Sequence, residues 1–537
     1  MLKRCSFKKI FSLVIAIAII INANIIAIAS PGVSVAEAGS GHETGFAAEF
    51  RQPSREAKPY IRWWITPGLM SEAETKLEVR KMAEAGFGGI ELVALVGMAN
   101  FGSSGWNNAM KWALEEAIEC GITLDFTIGQ AWPIKTPAIS DPNDIRSEQG
   151  LFYKAVDFTT SDDSQSYSES QIPFPDEQFE TNRPYELVAV TAAKKIDNAT
   201  YDPESVAVIT DKLTNFTDNT NVNGVGIQWQ PEMQGDWTIF YLYRQGTSKS
   251  GSVVVDHFNR EATEAVVKYW DDVLMAGELR DLYERNGGCI FGDSLELGEK
   301  TKSNAAFWTA NILEEFRNRR GYDLTPYLPC IFIKDFYPYY AHSNHTDADP
   351  DFDFGIVGAR IREDFFETLT ELFTENHIKV IREWAEGHNM SLRYQSYGVV
   401  MEITEPTLEV DVVETESWGS KDIIDMYRLQ SGVVHMTGRK LYSTESAAVI
   451  NLAWAQTWTG SHRAGQSNSD PYWADDGSNY VYRPDGNNQD AGILYHFNRQ
   501  MAAGVNRIVM HGFSYKSNLM RTWPGDSFMS MGNFCNE

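Results

Sequence analysis

Cysteine is scarce in this sequence, with five in 537 residues. Cys5 falls in an apolar N-terminal run, Cys289 in a short apolar stretch, and Cys120, Cys330 and Cys535 are widely scattered. That spacing excludes a disulfide framework and a zinc site built from paired cysteines. Basic charge is short as well: 46 Lys and Arg stand against 73 Asp and Glu, a net charge of -27. Such an acidic chain is a poor partner for nucleic acid or an anionic membrane surface, whereas neutral ligands remain open. After residue 28 no run is long and apolar enough to cross a bilayer. No GxGxxG follows an early strand, so the main signature of a dinucleotide-binding open sheet is missing.

The N-terminus carries the exception to the lack of apolar runs. Lys3, Arg4, Lys8 and Lys9 precede an apolar stretch from Ile10 to Ile28, and Ala36-Glu37-Ala38 follows as a small-residue cleavage site. Residues 1–38 therefore read as a signal peptide, and the expectation is a secreted or extracytoplasmic protein. An uncleaved N-terminal anchor is the alternative, weakened by Asn22 and Asn24 inside the run.

The rest of the chain alternates short apolar strands with amphipathic helices. Strands are expected to start near 59, 88, 123, 288, 391, 409, 440 and 507. Ser71 and Glu74 resemble a capping box ahead of the first helix. Further helices are expected over Glu261 to about Glu284, Asn304–Arg320 and about Ile356–Glu386. Eight strand and helix units imply an α/β fold, a closed (β/α)8 barrel of the TIM type. Between about 150 and 250 the rhythm changes to short alternating runs separated by Ser, Asp, Asn and Pro. This is a β-rich, sandwich-like insertion after the third strand. The domain plan is thus a signal peptide (1–38), a first barrel part (39–149), the insertion (150–250) and the barrel remainder (251–537). The chain stops soon after the eighth strand without a clear closing helix, which reads as truncation.

The chemistry-bearing residues gather where these strands end. The C-terminal ends supply Trp63 and Trp64, Glu91, Asp125 and Gln130, Asp293 and Glu296, Gln395, Glu414 and Glu416, Glu445 and His511. In a barrel these ends converge on one mouth, whereas carboxylates that are merely solvated prefer helix faces. Glu296 has a plainer reading as a charge at a helix N-terminus. Glu445 shares a strand face with Leu441 and Ser443, where an inward carboxylate needs a role or a partner. Glu414 and Glu416 also share one face, consistent with mutual pKa perturbation or with a cation held between them. Two carboxyls, one protonated and one ionised, are what glycosidic bond hydrolysis requires. Asp293, three residues from Glu296, would help keep that acid protonated. The many Trp and Tyr in loops suit sugar faces, or equally fill core and loop bases. The remaining histidines read as surface or core groups.

Several stretches, taken in order, resemble glycoside hydrolase family 106, the inverting α-L-rhamnosidases. They are KPYIRWWITPG, GFGGIEL, GDSLE, EEFRNRRGYDLTPYLP, RYQSYG, ETESWG, YSTESAA and AAGVNRIVMHGFSY. The resemblance implies a barrel enzyme removing terminal rhamnose from polysaccharide, with Glu296 at the position of the general acid and Glu445 at that of the base. It implies a calcium ion near the site, for which Asp293 and Glu416 are the expected ligands. Trp64, Glu91, Gln395, Trp418 and His511 are the expected sugar contacts. Family members usually continue into C-terminal β-sandwich modules that this chain does not show. A non-catalytic carbohydrate-binding barrel, or a glycosidase for another sugar, is the alternative.

Overall fold

The computed structural model describes residues 45–94, 100–162, 165–176, 179–297, 305–333, 349–398, 402–416, 424–446 and 492–515. The chain divides into two units, Met1–Pro53 and Ser54–Glu537. In the first, the described segment carries the short helix Phe46–Arg51. The second holds a closed eight-stranded parallel barrel and two antiparallel sheets.

The barrel begins with β1 (Tyr60–Ile65), β2 (Gly89–Ala94) and β3 (Thr123–Thr127). Seven antiparallel strands follow: β4 (Gln149–Thr160), β5 (Tyr167–Glu169), β6 (Glu186–Lys194), β7 (Ala207–Val208), β8 (Leu213–Thr214), β9 (Gly226–Trp229) and β10 (Gly235–Gly246). The chain returns to the barrel with β11 (Cys289–Gly292), leaves it for β12 (Ala305–Trp308), and completes it with β13 (Ser391–Tyr394), β14 (Val412–Glu416), β15 (Tyr442–Ser446) and β16 (Arg507–Ser514). Around the barrel the order is β1-β16-β15-β14-β13-β11-β3-β2, closed by β1 pairing with both β2 and β16. All eight expected barrel strands are present. The sixth starts at Val412 rather than 409, because Thr404–Glu409 forms a short helix first.

Alternation along β1 separates two environments. Ile61, Trp63 and Ile65 point outward into the main apolar core against the helices, and Trp63 Nε1 donates to Glu78 on helix Glu72–Glu84 at 2.8 Å. Arg62 and Trp64 take the opposite face, and period-2 alternation turns that face into the barrel. The same logic serves β10, where Trp237, Ile239, Tyr241 and Tyr243 pack into a separate core with β5 and β9 while Phe240 and Leu242 face the main core. The five-stranded sheet β12-β4-β10-β6-β7 is therefore buried on both sides, with the three-stranded sheet β5-β9-β8 sharing the core on one of them.

Three local expectations are corrected. The helix placed over Asn304–Arg320 is shorter: Ala305–Trp308 is a strand on the edge of β4, pairing Ala305 with Phe152 and Trp308 with Gln149, and the helix runs Ile312–Arg320. Four consecutive buried apolar residues fit an edge strand better than a helix turn with one apolar face. The helix expected from Glu261 to about Glu284 is broken, with a π turn at Trp270–Leu274 and Gly277 separating Arg260–Tyr269 from Glu278–Asn286. Ser71 is the N-cap of its helix but makes no side-chain cap; its backbone N–H donates to Tyr515 Oη at 3.0 Å, which ties the helix start to the residue after β16.

Candidate active site

The interior of a barrel of this type is ordinarily filled by branched aliphatic side chains. Here it is filled by charge. Register places Arg62 beside Glu91, and Glu91 beside Asp125, on neighbouring strands. Arg62 Nε bonds Glu91 Oε1, and Arg393 Nη2 bonds Glu91 Oε2, so one carboxylate joins two guanidiniums. Arg393 also bonds Glu414 and lies 3.2 Å from Asp125. Phe291 of β11 packs under both cations, 5.4 Å from Arg62 and 4.5 Å from Arg393. All of these polar groups are buried. Ions so far from water persist only when paired and hydrogen-bonded, and these are.

Above this floor lies the mouth, built around Glu445. Glu416 of β14 and Glu445 of β15 are paired in register, so two carboxyls stand side by side. Arg62 donates to both oxygens of Glu445, at 2.6 and 2.9 Å. His511 of β16 adds a bond to Oε1, and Gln395, just beyond β13, adds one to Oε2 at 2.9 Å. Four donors occupy the roughly four lone-pair positions that a carboxylate offers. Burial pushes this carboxyl's pKa up, but the Arg62 charge and the bonds from His511 and Gln395 outweigh it and bring it down to about 2. Tyr397 Oη donates to Gln395 Oε1 at 3.0 Å, which turns the amide nitrogen toward the carboxylates.

The neighbouring acids move the other way. Asp293, released by β11, is raised to about 7 by burial and by the charge of Glu445, against the pull of Arg62 at 3.7 Å. Glu416 is raised well above the usual carboxylate range by burial, then by repulsion from Glu445, Asp293 and Glu296. The same repulsion shows that the strand ends bring Asp293, Glu296, Glu416 and Glu445 within electrostatic reach of one another. Opposite shifts in adjacent carboxyls are the arrangement that separates a proton donor from a proton acceptor.

The expected sugar contacts fall at different depths. His511 is at the mouth beside Glu445, and Trp64 lies against it with ring centroids 5.5 Å apart, its Nε1 donating to the His511 carbonyl at 2.9 Å. Trp132 extends this wall, 5.9 Å from Trp64. Gln395 is buried and fully engaged between Tyr397 and the two carboxylates. Glu91 is buried in the floor with one oxygen on each guanidinium, which makes it a holder of Arg62 and Arg393. Trp418 lies outside the described residues. Neither Arg62 nor Arg393 was singled out from the sequence, yet each is a lone charge inside an apolar strand, and an inward charge there demands a buried counterion.

Calcium takes six to eight oxygen ligands. Asp293 and Glu416 bring two carboxyls to one mouth, but among the described residues no group of three or more His, Cys, Asp or Glu is arranged to hold a metal ion.

Comparison with known proteins places this geometry. A protein of Formosa agariphila that carries the provisional name beta-glucuronidase is 22% identical over 522 residues, an alignment covering 90% of this chain and 41% of the relative. The solved structure of a rhamnosidase from Novosphingobium sp. PP1Y superposes with a TM-score of 0.56 at 13% identity, covering 88% of this chain and 57% of that one, and so shares the fold. The chain spans about half the length of the relatives it matches. The family model described as alpha-L-rhamnosidase matches residues 175–464, more than half of the sequence and the stretch that carries Asp293, Glu296, Glu416 and Glu445. The chain belongs to glycoside hydrolase family 106.

Proposed function

We propose that this chain is the catalytic part of an exported, inverting α-L-rhamnosidase that removes terminal rhamnose from polysaccharide. Glu296 is the general acid that protonates the leaving oxygen, and Glu445 is the base that takes a proton from the attacking water. The observation that carries this reading is the split at the barrel mouth, with Glu445 held ionised by Arg62, His511 and Gln395 while the surrounding carboxyls are pushed toward retaining protons. Because all its lone pairs are engaged, Glu445 accepts a water proton only after one donor gives way. His511, the most outward of them, is the group that yields. An inverting site needs its two carboxyls about 6.5 to 9.5 Å apart, leaving room for that water.

The relative named as a beta-glucuronidase favours a second reading, in which the sugar is a uronate. A uronate carboxylate would need a free cation, and among the described residues of the mouth and floor Arg62 and Arg393 are already committed to carboxylates. A crowd of acids repels another anion, which supports a neutral deoxy sugar. Export rests on the basic and apolar pattern of residues 1–38.

A panel of aryl glycosides, with the product anomer followed by NMR, tests substrate and stereochemistry together. The expected result is cleavage of aryl α-L-rhamnoside with inversion, abolished in Glu296→Gln and Glu445→Gln. Sugar binding with no hydrolysis in the unaltered protein would make the chain a carbohydrate-binding barrel. Cleavage of an aryl glucuronide alone would favour the second reading.

A further inference from the structure

His257 follows the run Val253-Val-Val-Asp256, ahead of helix Arg260–Tyr269, and none of the roles above uses it. Its turn is fixed from both sides. Asp256 Oδ1 accepts from the Phe258 N–H at 3.0 Å, Asp256 Oδ2 accepts from Thr309 Oγ1 at 2.7 Å, and the Asp256 N–H donates to the Arg146 carbonyl at 2.9 Å. The imidazole is thereby held with Nδ1 2.8 Å from the Val255 carbonyl oxygen. A carbonyl only accepts, so Nδ1 carries the proton and the neutral ring presents a lone pair at Nε2. Burial holds the ring neutral by pushing its pKa down to about 4, so the lone pair persists across ordinary working pH.

That Nε2 is buried and has no hydrogen-bond partner among the described residues. The nearest ring, His377 at 4.8 Å between centroids, offers nothing, because its two nitrogens are engaged by Thr263 and Tyr394. A buried acceptor left unpaired is costly, and such a group is retained where something visits it. His257 lines a cleft together with Asp293, Ser294, Trp132 and Phe291. Asp293 also stands at the mouth beside Arg62, so the cleft and the mouth share a wall. The cleft is narrow enough to admit a hydroxyl rather than a ring, and an imidazole lone pair there suits an O–H donor at the edge of a sugar seated in the adjoining mouth, against the aromatic wall.

We propose that His257 is a substrate-binding residue of this site, its Nε2 accepting a hydrogen bond from one hydroxyl of the bound sugar. The proposal rests on the carbohydrate reading above. It assigns the residue a polarity as well as a place: the group it recognises must be a donor.

The test uses the full chain and its His257→Phe and His257→Gln variants, with affinities for L-rhamnose and its monodeoxy analogues measured by calorimetry and kcat/KM measured on the aryl glycoside that is cleaved. In the unaltered protein one monodeoxy analogue should bind more weakly than the parent sugar by about three-fold to ten-fold, the span of one neutral hydrogen bond. His257→Phe should lose the same factor for the parent sugar and no more for that analogue, while His257→Gln, which keeps an acceptor, recovers part of it. Equal affinity for the parent sugar in the unaltered and Phe proteins overturns the proposal, as does a deoxy series whose losses are identical in both. Should His257→Phe fail to fold, the series on the unaltered protein still decides, since no analogue weakened overturns it. If no sugar binds or is cleaved at all, the carbohydrate reading itself fails; if sugar is cleaved and His257 proves indifferent, only this inference does.

Discussion

Replacing Arg62 with methionine removes a cation that touches both floor and mouth. Methionine keeps much of the length and apolar stem, so the main change is electrostatic. In the native protein Glu445 sits at about 2 against an ordinary 4.5, a difference that contributes about 3 kcal/mol of stability. The sign follows from the direction of the shift. A depressed carboxylate stabilises the fold above its unfolded pKa, and that contribution is lost as pH falls toward 2. Without Arg62, burial of Glu445 is opposed only by the His511 and Gln395 bonds, the largest force holding it down being gone, and Glu91 keeps only Arg393. The Glu445 pKa then rises above its unfolded value, and the sign reverses: the variant loses stability as pH rises. Breaking a buried ion pair from one side costs about 3 to 5 kcal/mol. For a chain of 537 residues the unfolding entropy is about 1 kcal/mol/K, so the thermal midpoint should fall by about 3 to 5 °C near pH 7.5. Tryptophan fluorescence melts from pH 5 to 8 measure this, and the deficit should shrink toward pH 5. Arg62→Lys, which keeps charge but cannot bond Glu91 and both Glu445 oxygens at once, should fall between. A variant as stable as the native protein at pH 7.5, or one whose deficit grows in acid, would refute the reasoning.

Asp293→Asn should raise the melting temperature most at pH 8, less at pH 5 and hardly at all below pH 4, because an acid raised from 3.8 to about 7 by burial and by Glu445 costs the fold stability progressively as pH climbs between those two values. Glu445→Gln should lower kcat by about 10²- to 10⁴-fold while the protein still folds, the range for loss of a general base; native-like turnover would remove Glu445 from that role. Gly288→Ala should abolish soluble expression, since a Cβ there would lie 1.9 Å from the Leu124 carbonyl oxygen and force β11 away from β3. Gly387→Ala, whose Cβ meets nothing within 4 Å, is the control and should melt within about a degree of the native protein.

The barrel was legible because its strands are short, apolar and regularly separated by helices, and this period survives whatever side chains fill the interior. The edge strand Ala305–Trp308 was not, because its pairing partner lies at Phe152 and no local pattern records so distant a contact. The acids of the mouth were legible by position, at strand ends. The arginines were hidden by the same habit of reading ends, since Arg62 and Arg393 lie inside β1 and β13. Their signal was present all the same: Arg62 alternates with Ile61 and Trp63 in a strand buried throughout, and such a strand leaves a cation no route to water. His257 had no such signal. Its tautomer is set by one carbonyl two residues away, and its open nitrogen is defined by what fails to reach it.

Stability alone does not account for this interior. Buried ion pairs can often be exchanged for apolar side chains of similar volume with no loss of stability, and sometimes with a gain. A barrel lined by aliphatic residues would fold as well. What an aliphatic interior lacks is a means of distributing protons among carboxyls crowded at the mouth. Two guanidiniums here face the carboxyls of Glu91, Asp125, Asp293, Glu414 and Glu445, with Glu416 and Glu296 beyond them. The cations are outnumbered, so some of these acids must hold protons, and proximity to Arg62 decides which. Glu445, gripped through both oxygens, is ionised; Asp293, at 3.7 Å, and Glu416 are driven toward the neutral form. Which carboxyls at the mouth are ionised and which protonated is thus set from beneath, by an arginine on the first strand of the barrel.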